Sequence, residues 1–152
     1  MVNRYKEAPP AVAFIHAVGI KRGAIAVSVN HDSHNIIAVG ADDESICRAV
    51  NLVIQKKGAV VVVDGEYEDV LPLPVAGIIS DLPCDVIGPQ YERIDKRVHD
   101  MGSQLRAPYM TMSFMALLVI PVMKISDKGL FDGKAWRLID VVVKDLTKEG
   151  EV

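Results

Sequence analysis

Ala24-Ile25-Ala26-Val27-Ser28-Val29-Asn30-His31-Asp32-Ser33-His34-Asn35-Ile36-Ile37-Ala38-Val39-Gly40 is the stretch that decides how this chain folds. Two apolar runs of strand length, rich in β-branched residues, flank six consecutive polar side chains. The pattern predicts a hairpin: Ala24 to Val29 runs up, the polar segment turns, and Ile36 to Val39 runs back. Asn30, Asp32, Ser33 and Asn35 are turn formers, because short polar side chains hydrogen-bond the local backbone and Asn and Asp tolerate left-handed geometry. Turn chemistry does not call for His31 and His34. Two imidazoles around an Asp and a Ser offer a metal-ligand pair, a proton shuttle or a hydrogen-bonding clamp within one loop.

Outward from that hairpin, 152 residues with half of them hydrophobic and a positive mean hydropathy predict one domain with a buried core. A net charge of −3 and a pI near 5.8 give no basic footprint for nucleic acid. No apolar run predicts a membrane span; the longest, Met110 to Met123, is interrupted by Thr111, Ser113 and Pro121. Cys47 and Cys84 stand apart without a CxxC and read as reduced, buried thiols of a cytoplasmic protein. Residues 1–10 carry no signal-peptide pattern and read as a linker or the remnant of an upstream domain. Residues 11–144 then form the domain, and 145–152 a charged tail.

Ala11 to Val18 is expected as a strand ended by Gly19, with His16 as a satisfied structural histidine. Asp42-Asp43-Glu44 opens the clearest helix, with Ile46, Ala49, Val50, Val53 and Ile54 on one face and Lys56-Lys57-Gly58 closing it. Ala59 to Val63 predicts a strand buried on both faces, and Asp64-Gly65 a tight turn into a partly exposed strand over Glu66 to Leu71. Ser80-Asp81 before Pro83 reads as a helix cap, yet Gly88-Pro89 interrupts the helix it would start and predicts a main helix only from about Pro89 to Met101. Its stripe is Tyr91, Ile94, Val98 and Met101, with His99 on the wet face. Met110 to Pro121 alternates only weakly and admits a helical turn plus a strand without periodicity deciding it. Val122 to Ile125 reads as a short strand, Ser126 to Gly133 as a loop, and Trp136 to Val143 as the last strand. The expected class is α+β: a mixed, largely antiparallel sheet with two main helices packed on one side.

Several chemistries can be weighed at the polar loop. His31 and His34 at i, i+3, with Asp32 as a third ligand, could converge on a metal, but no HExxH, HxH or cysteine pair accompanies them. A Ser-His-Asp triad needs each group aimed at the next, which Ser33 between its own partners cannot provide. No GxSxG elbow and no glycine-rich phosphate loop is present. The bland alternative is a hairpin tip whose Asn, Asp and Ser side chains cap their own turn.

Gly19-Ile20-Lys21-Arg22-Gly23-Ala24-Ile25-Ala26, running into Ser28-Val29-Asn30-His31-Asp32-Ser33-His34-Asn35-Ile36-Ile37-Ala38-Val39-Gly40, resembles the C-terminal domain of bacterial and archaeal adenine deaminases of the amidohydrolase superfamily. The likeness continues through Leu71-Pro72-Leu73-Pro74-Val75-Ala76-Gly77-Ile78-Ile79-Ser80-Asp81, Pro108-Tyr109-Met110-Thr111-Met112-Ser113-Phe114, Val119-Ile120-Pro121 and Asp127-Lys128-Gly129-Leu130, and so covers nearly the whole chain. Gly88-Pro89 and Asn30 depart from the family pattern. The resemblance implies hydrolytic removal of the 6-amino group of adenine, giving hypoxanthine and ammonia. It also implies a metal-bound hydroxide, on manganese or iron, in an upstream (β/α)8 barrel. The barrel's metal ligands are absent here, so this piece is expected to hold no metal and to be inactive alone.

What the domain adds is then expected at the hairpin tip, facing the barrel's mouth. His31, Asp32 and His34 are the candidate catalytic residues, and Ser33, Asn35 and Asp81 the candidate substrate-binding ones. The expected partners are the barrel of the same chain, adenine, and a possible second copy. The rival expectation is a structural or oligomerisation module whose Met110–Ile120 surface packs against the barrel or another subunit.

Overall fold

A computed structural model describes residues 1–142. The organising hairpin forms as predicted, with β1 (Ala24–Val27) antiparallel to β2 (Ile37–Gly40) and Val27 opposite Ile37. β3 (Ala59–Asp64) pairs with the other edge of β1, and β4 (Tyr67–Pro72) returns beside β3 through the Asp64-Gly65 turn. The resulting sheet has the order β2-β1-β3-β4. A second, three-stranded sheet is built from β5 (Met123–Ser126), β6 (Gly129–Asp132) and β7 (Arg137–Ile139).

Strand alternation divides the core in two. Ala24, Ala26, Ala59, Val61 and Val63 face α1 (Asp43–Gln55), which buries Ala49 and Val53 against them. Ile25, Val27, Val60 and Val62 face the opposite way, onto Ile94 and Val98 of α2 (Cys84–Asp100) and Tyr109 and Met112 of α3 (Pro108–Phe114). Each such fully buried Val or Ile side chain stabilises the fold by about 1.5–3 kcal/mol. The α+β class is as expected, but every strand pair is antiparallel and the helices flank both faces of the main sheet rather than one. A β1–β3 core that is apolar on both faces requires a cover on each side.

The acidic opening of α1 behaves as read: the Asp42 side chain accepts from the Ser45 N–H at 2.7 Å. Hydrogen bonding from the Ser45 backbone and side chain holds the Asp42 carboxyl below the usual carboxylate range. Four other expectations are corrected. Ala11–Val18 is not a strand: Ala17 and Gly19 take left-handed backbone angles, φ 67° and 82°, and Phe14, Ile15 and His16 lie exposed. Helix α2 runs unbroken through Pro89. The proline ring normally clashes with the Cβ of the residue before it, and Gly88 has none. Ser80-Asp81 is not its cap, since α2 starts after Pro83 and Ser80 Oγ instead accepts the nearby Leu82 N–H. Residues 126–133 are not a loop but a tight hairpin, β5 to β6, in which Ser126 Oγ donates to the Gly129 carbonyl.

Smaller differences have similar origins. The segment after α3 makes turns instead of a strand, and the last strand spans only Arg137–Ile139. Cys47 and Cys84 are free and exposed, not buried. The expected tail, 145–152, lies outside the described residues. The segment read as a linker lies against the domain, where Val2 pairs with Ile36 and the Asn3 side chain donates to Asp127 at 2.7 Å. Among the described residues no helix is long and apolar enough to cross a membrane.

Candidate functional site

The polar loop at the end of β1 is built on two buried amides. Asn30 is fully buried, and its Nδ2 donates to the carbonyl of Asn35 across the base of the loop. Asn35 is buried too, and its Oδ1 accepts the Arg4 N–H at 3.0 Å. A buried polar side chain is costly unless bonded; these two each bond a backbone group, and Asn30 Oδ1 also accepts the Ser33 hydroxyl at 3.4 Å, so they fix where the loop leaves the sheet. His34 takes a left-handed φ of 50°, and its N–H donates to the Asn30 carbonyl at 3.3 Å.

Beyond that base the side chains diverge. The His31 side chain is 40% exposed and its ring lies 4.7 Å from the Phe114 ring of α3, tilted by 38°. Asp32, 87% exposed, approaches His31 Nδ1 to 3.7 Å, too long for a hydrogen bond. Ser33 offers its carbonyl to the Tyr5 hydroxyl at 2.8 Å. His34 Nδ1 is buried and has no hydrogen-bond partner among the described residues. Such an orphaned polar atom calls for a partner the structure does not hold. Asp81 is exposed on the approach to α2, and no hydrogen bond among the described residues links it to the tip.

The loop therefore carries His31, Asp32, Ser33 and His34 on one tip, with Asp32 and Ser33 exposed and His34 Nδ1 turned inward, uses Asn35 as a brace, and leaves Asp81 apart. Among the described residues no group of three His, Cys, Asp or Glu is close enough to hold a metal ion. The cation site weighed for His31, Asp32 and His34 is thus not assembled. The arrangement can place a hydrogen-bonding imidazole, flanked by an aromatic ring, against something docked from outside. Tyr5, Arg4 and Phe114 are the supporting residues that reading the loop alone missed. Arg4 donates to the Ala76 carbonyl at 2.9 Å and to the Tyr5 hydroxyl at 3.2 Å, tying the first residues to the loop that precedes α2.

Residues 1–137 match the family model for the adenine deaminase C-terminal domain. The chain is 52% identical over 141 residues to an adenine deaminase of Sulfurovum sp. (strain NBC37-1), covering 92% of this chain and 26% of that protein. It is 50% identical over 142 residues to an adenine deaminase of Salinibacter ruber, with the same shares covered. An archaeal adenine deaminase, from Archaeoglobus fulgidus, is 47% identical over 129 residues, 85% of this chain and 23% of its own. The chain thus spans about a quarter of the length of these curated relatives. With nearly its whole length matched, the chain belongs to the family of adenine deaminase C-terminal domains.

Proposed function

We propose that this domain serves an adenine deaminase, hydrolysing adenine to hypoxanthine and ammonia in the cytoplasm, and that its hairpin tip lines the mouth of the purine site on an upstream (β/α)8 barrel. The observation that carries the tip's role is the pairing of rigid base and open end. Asn30 and Asn35 lock the loop to the sheet while His31 stays half-exposed against Phe114. Donors held in place before substrate arrives act without reorganisation, which is where such groups gain their effect. In this reading His31 and His34 supply the hydrogen-bonding nitrogens and Asp32 a carboxylate toward the purine, with Asp81 a separate candidate contact. The Ser33 hydroxyl, which donates to Asn30 Oδ1 and accepts the Asn35 N–H, each at 3.4 Å, holds the loop that carries them. Manganese or iron, which would supply water activation when bound, belongs to the barrel in this reading, as the family resemblance implies.

The test is His31→Ala and His34→Ala in the full-length enzyme. Loss of a positioned donor predicts a kcat/KM lower by about tenfold or more with an unchanged Tm. Unchanged kinetics in both variants would remove the tip from the reaction. A second reading, an assembly module without catalytic residues, is favoured by the exposure of Met110 and Phe114 on α3. Under it, Leu117→Asp weakens association while the histidine variants turn over normally.

A further inference from the structure

The edge of the sheet beside β2 carries a separate inference, independent of the tip. Val2 and Ile36 exchange both backbone hydrogen bonds, at 2.8 and 2.9 Å. Met1 and Ala11 exchange theirs on the other side, at 2.6 and 2.9 Å. Two-way exchange is the mark of an antiparallel pair. Met1 and Val2 are therefore one end of a strand lodged between β2 and the Ala11 segment.

The register says where that strand leads. In an antiparallel ladder each step back from Val2 is a step forward from Ile36, so the residue immediately before Met1 faces Ala38 and the third before it faces Gly40. Alternation turns the backbone of Ile37 and Val39 toward β1 and leaves the amide and carbonyl of Ala38 and Gly40 pointing outward. Among the described residues neither has a backbone partner on that side. An open edge of this kind is a template for another strand.

A cavity lies along the same line. It has a volume of about 240 Å3 and an apolar wall that includes Met1, Ala13, Phe14, Ile37, Val39 and Met112. One water takes roughly 30 Å3 of liquid, so the space is of side-chain size. Met1 and Val39 both pack on the α2/α3 side of the sheet. By alternation the second residue before Met1 points the same way, into the cavity. Phe14, 91% exposed, forms part of its wall.

We propose that an extended apolar segment, continuing backward from Met1 in the longer polypeptides of this family, is the fifth strand of the main sheet and fills this cavity. The relatives supply ample chain for it, since this domain accounts for 26% of their length. The segment pairs with Ala38 and Gly40 and drops the side chain of its second residue between Val39 and Met112.

Disulfide trapping in a full-length adenine deaminase carrying this domain tests the register. In a background with Cys47→Ser and Cys84→Ser, a cysteine at the second position before Met1 is combined with Val39→Cys or with Ala38→Cys. The first pair is directly opposed on one face, with Cα atoms about 4.5 Å apart and within disulfide reach. The second points to opposite faces. Mild oxidation should remove nearly all free thiol from the Val39→Cys pair, within one polypeptide, and little from the Ala38→Cys pair. Bridging in both, in neither, or between molecules overturns the proposal. In the unmodified enzyme, the Ala38 and Gly40 amides should also exchange hydrogen at least about a hundredfold more slowly than open amides. Exchange at the open rate overturns it even if the cysteine variants fail to fold.

Discussion

Ser28→Ala removes one hydroxyl and should cost this domain a large share of its stability. Ser28 is fully buried where β1 gives way to the polar loop. Its Oγ donates to the Gly77 carbonyl at 2.6 Å and accepts the Ala59 N–H at 3.0 Å. One side chain thus joins the end of β1, the start of β3 and the loop before α2. Alanine leaves both partners buried and unbonded, and each orphaned group costs about 1–3 kcal/mol. The lost volume is too small to admit a water that could replace the hydroxyl. The sum, about 2–6 kcal/mol, compares with a total of about 5–15 kcal/mol for a typical domain. Urea unfolding followed by circular dichroism should show a midpoint shift of that size at constant slope. Ser80→Ala, which removes an exposed hydroxyl bonded only to the Leu82 N–H, is the control and should fall within about 0.5 kcal/mol. If the two variants unfold together, the reasoning from satisfied buried groups is wrong for this site.

Gly77→Ala should be severe, because φ is +71° and an added Cβ would sit 1.7 Å from Arg4 Nη1 and 2.6 Å from the Lys57 carbonyl. A loss of about 2 kcal/mol or more in thermal unfolding is expected. Gly65→Ala, at a similar φ of +61° but in open space, should lose only about 1 kcal/mol. Burial pushes the Asp69 carboxyl up, but the Arg93 guanidinium at 2.6 Å, with Tyr67 and Gln90, outweighs it and holds the group below its ordinary range. A depressed folded-state value adds stability above the unfolded carboxylate range that fades as pH drops through it. The stability gap between wild type and Asp69→Asn should therefore be widest near pH 7 and close below about pH 4 in pH-dependent unfolding. Tyr109→Phe removes a buried hydroxyl that donates to the Val61 carbonyl at 2.9 Å and should cost about 0.5–1.5 kcal/mol by the same assay.

Elements whose signal is local were legible in the sequence. The hairpin, α1 and β3 each carry period, caps and turn residues within their own span, and all three form where expected. The misreadings arise where a local rule meets a neighbour it does not consider. Proline disfavours helical geometry at the residue before it, yet Gly88 there has no Cβ for the Pro89 ring to meet. Ala11–Val18 is apolar enough for a strand, but among the described residues only Ala11 finds a backbone partner, in Met1, before left-handed residues turn the chain away. The tip was visible as a cluster of unusual residue types. Its supports were not, because Tyr5 meets Ser33 across 28 positions of sequence and Phe114 reaches His31 from α3. Contacts at that range leave no periodicity to read.

Three consecutive residues near the start of the chain hold three distant parts of the molecule. Asn3 grips the β5–β6 turn through Asp127, Arg4 grips Asn35 and the Ala76 carbonyl, and Tyr5 grips Ser33. Mechanically this is a linkage with a single crank: a tug on that short segment is transmitted at once to the small sheet, to the imidazole-bearing tip and to the loop ahead of α2. Any domain joined there would have its hand on the crank.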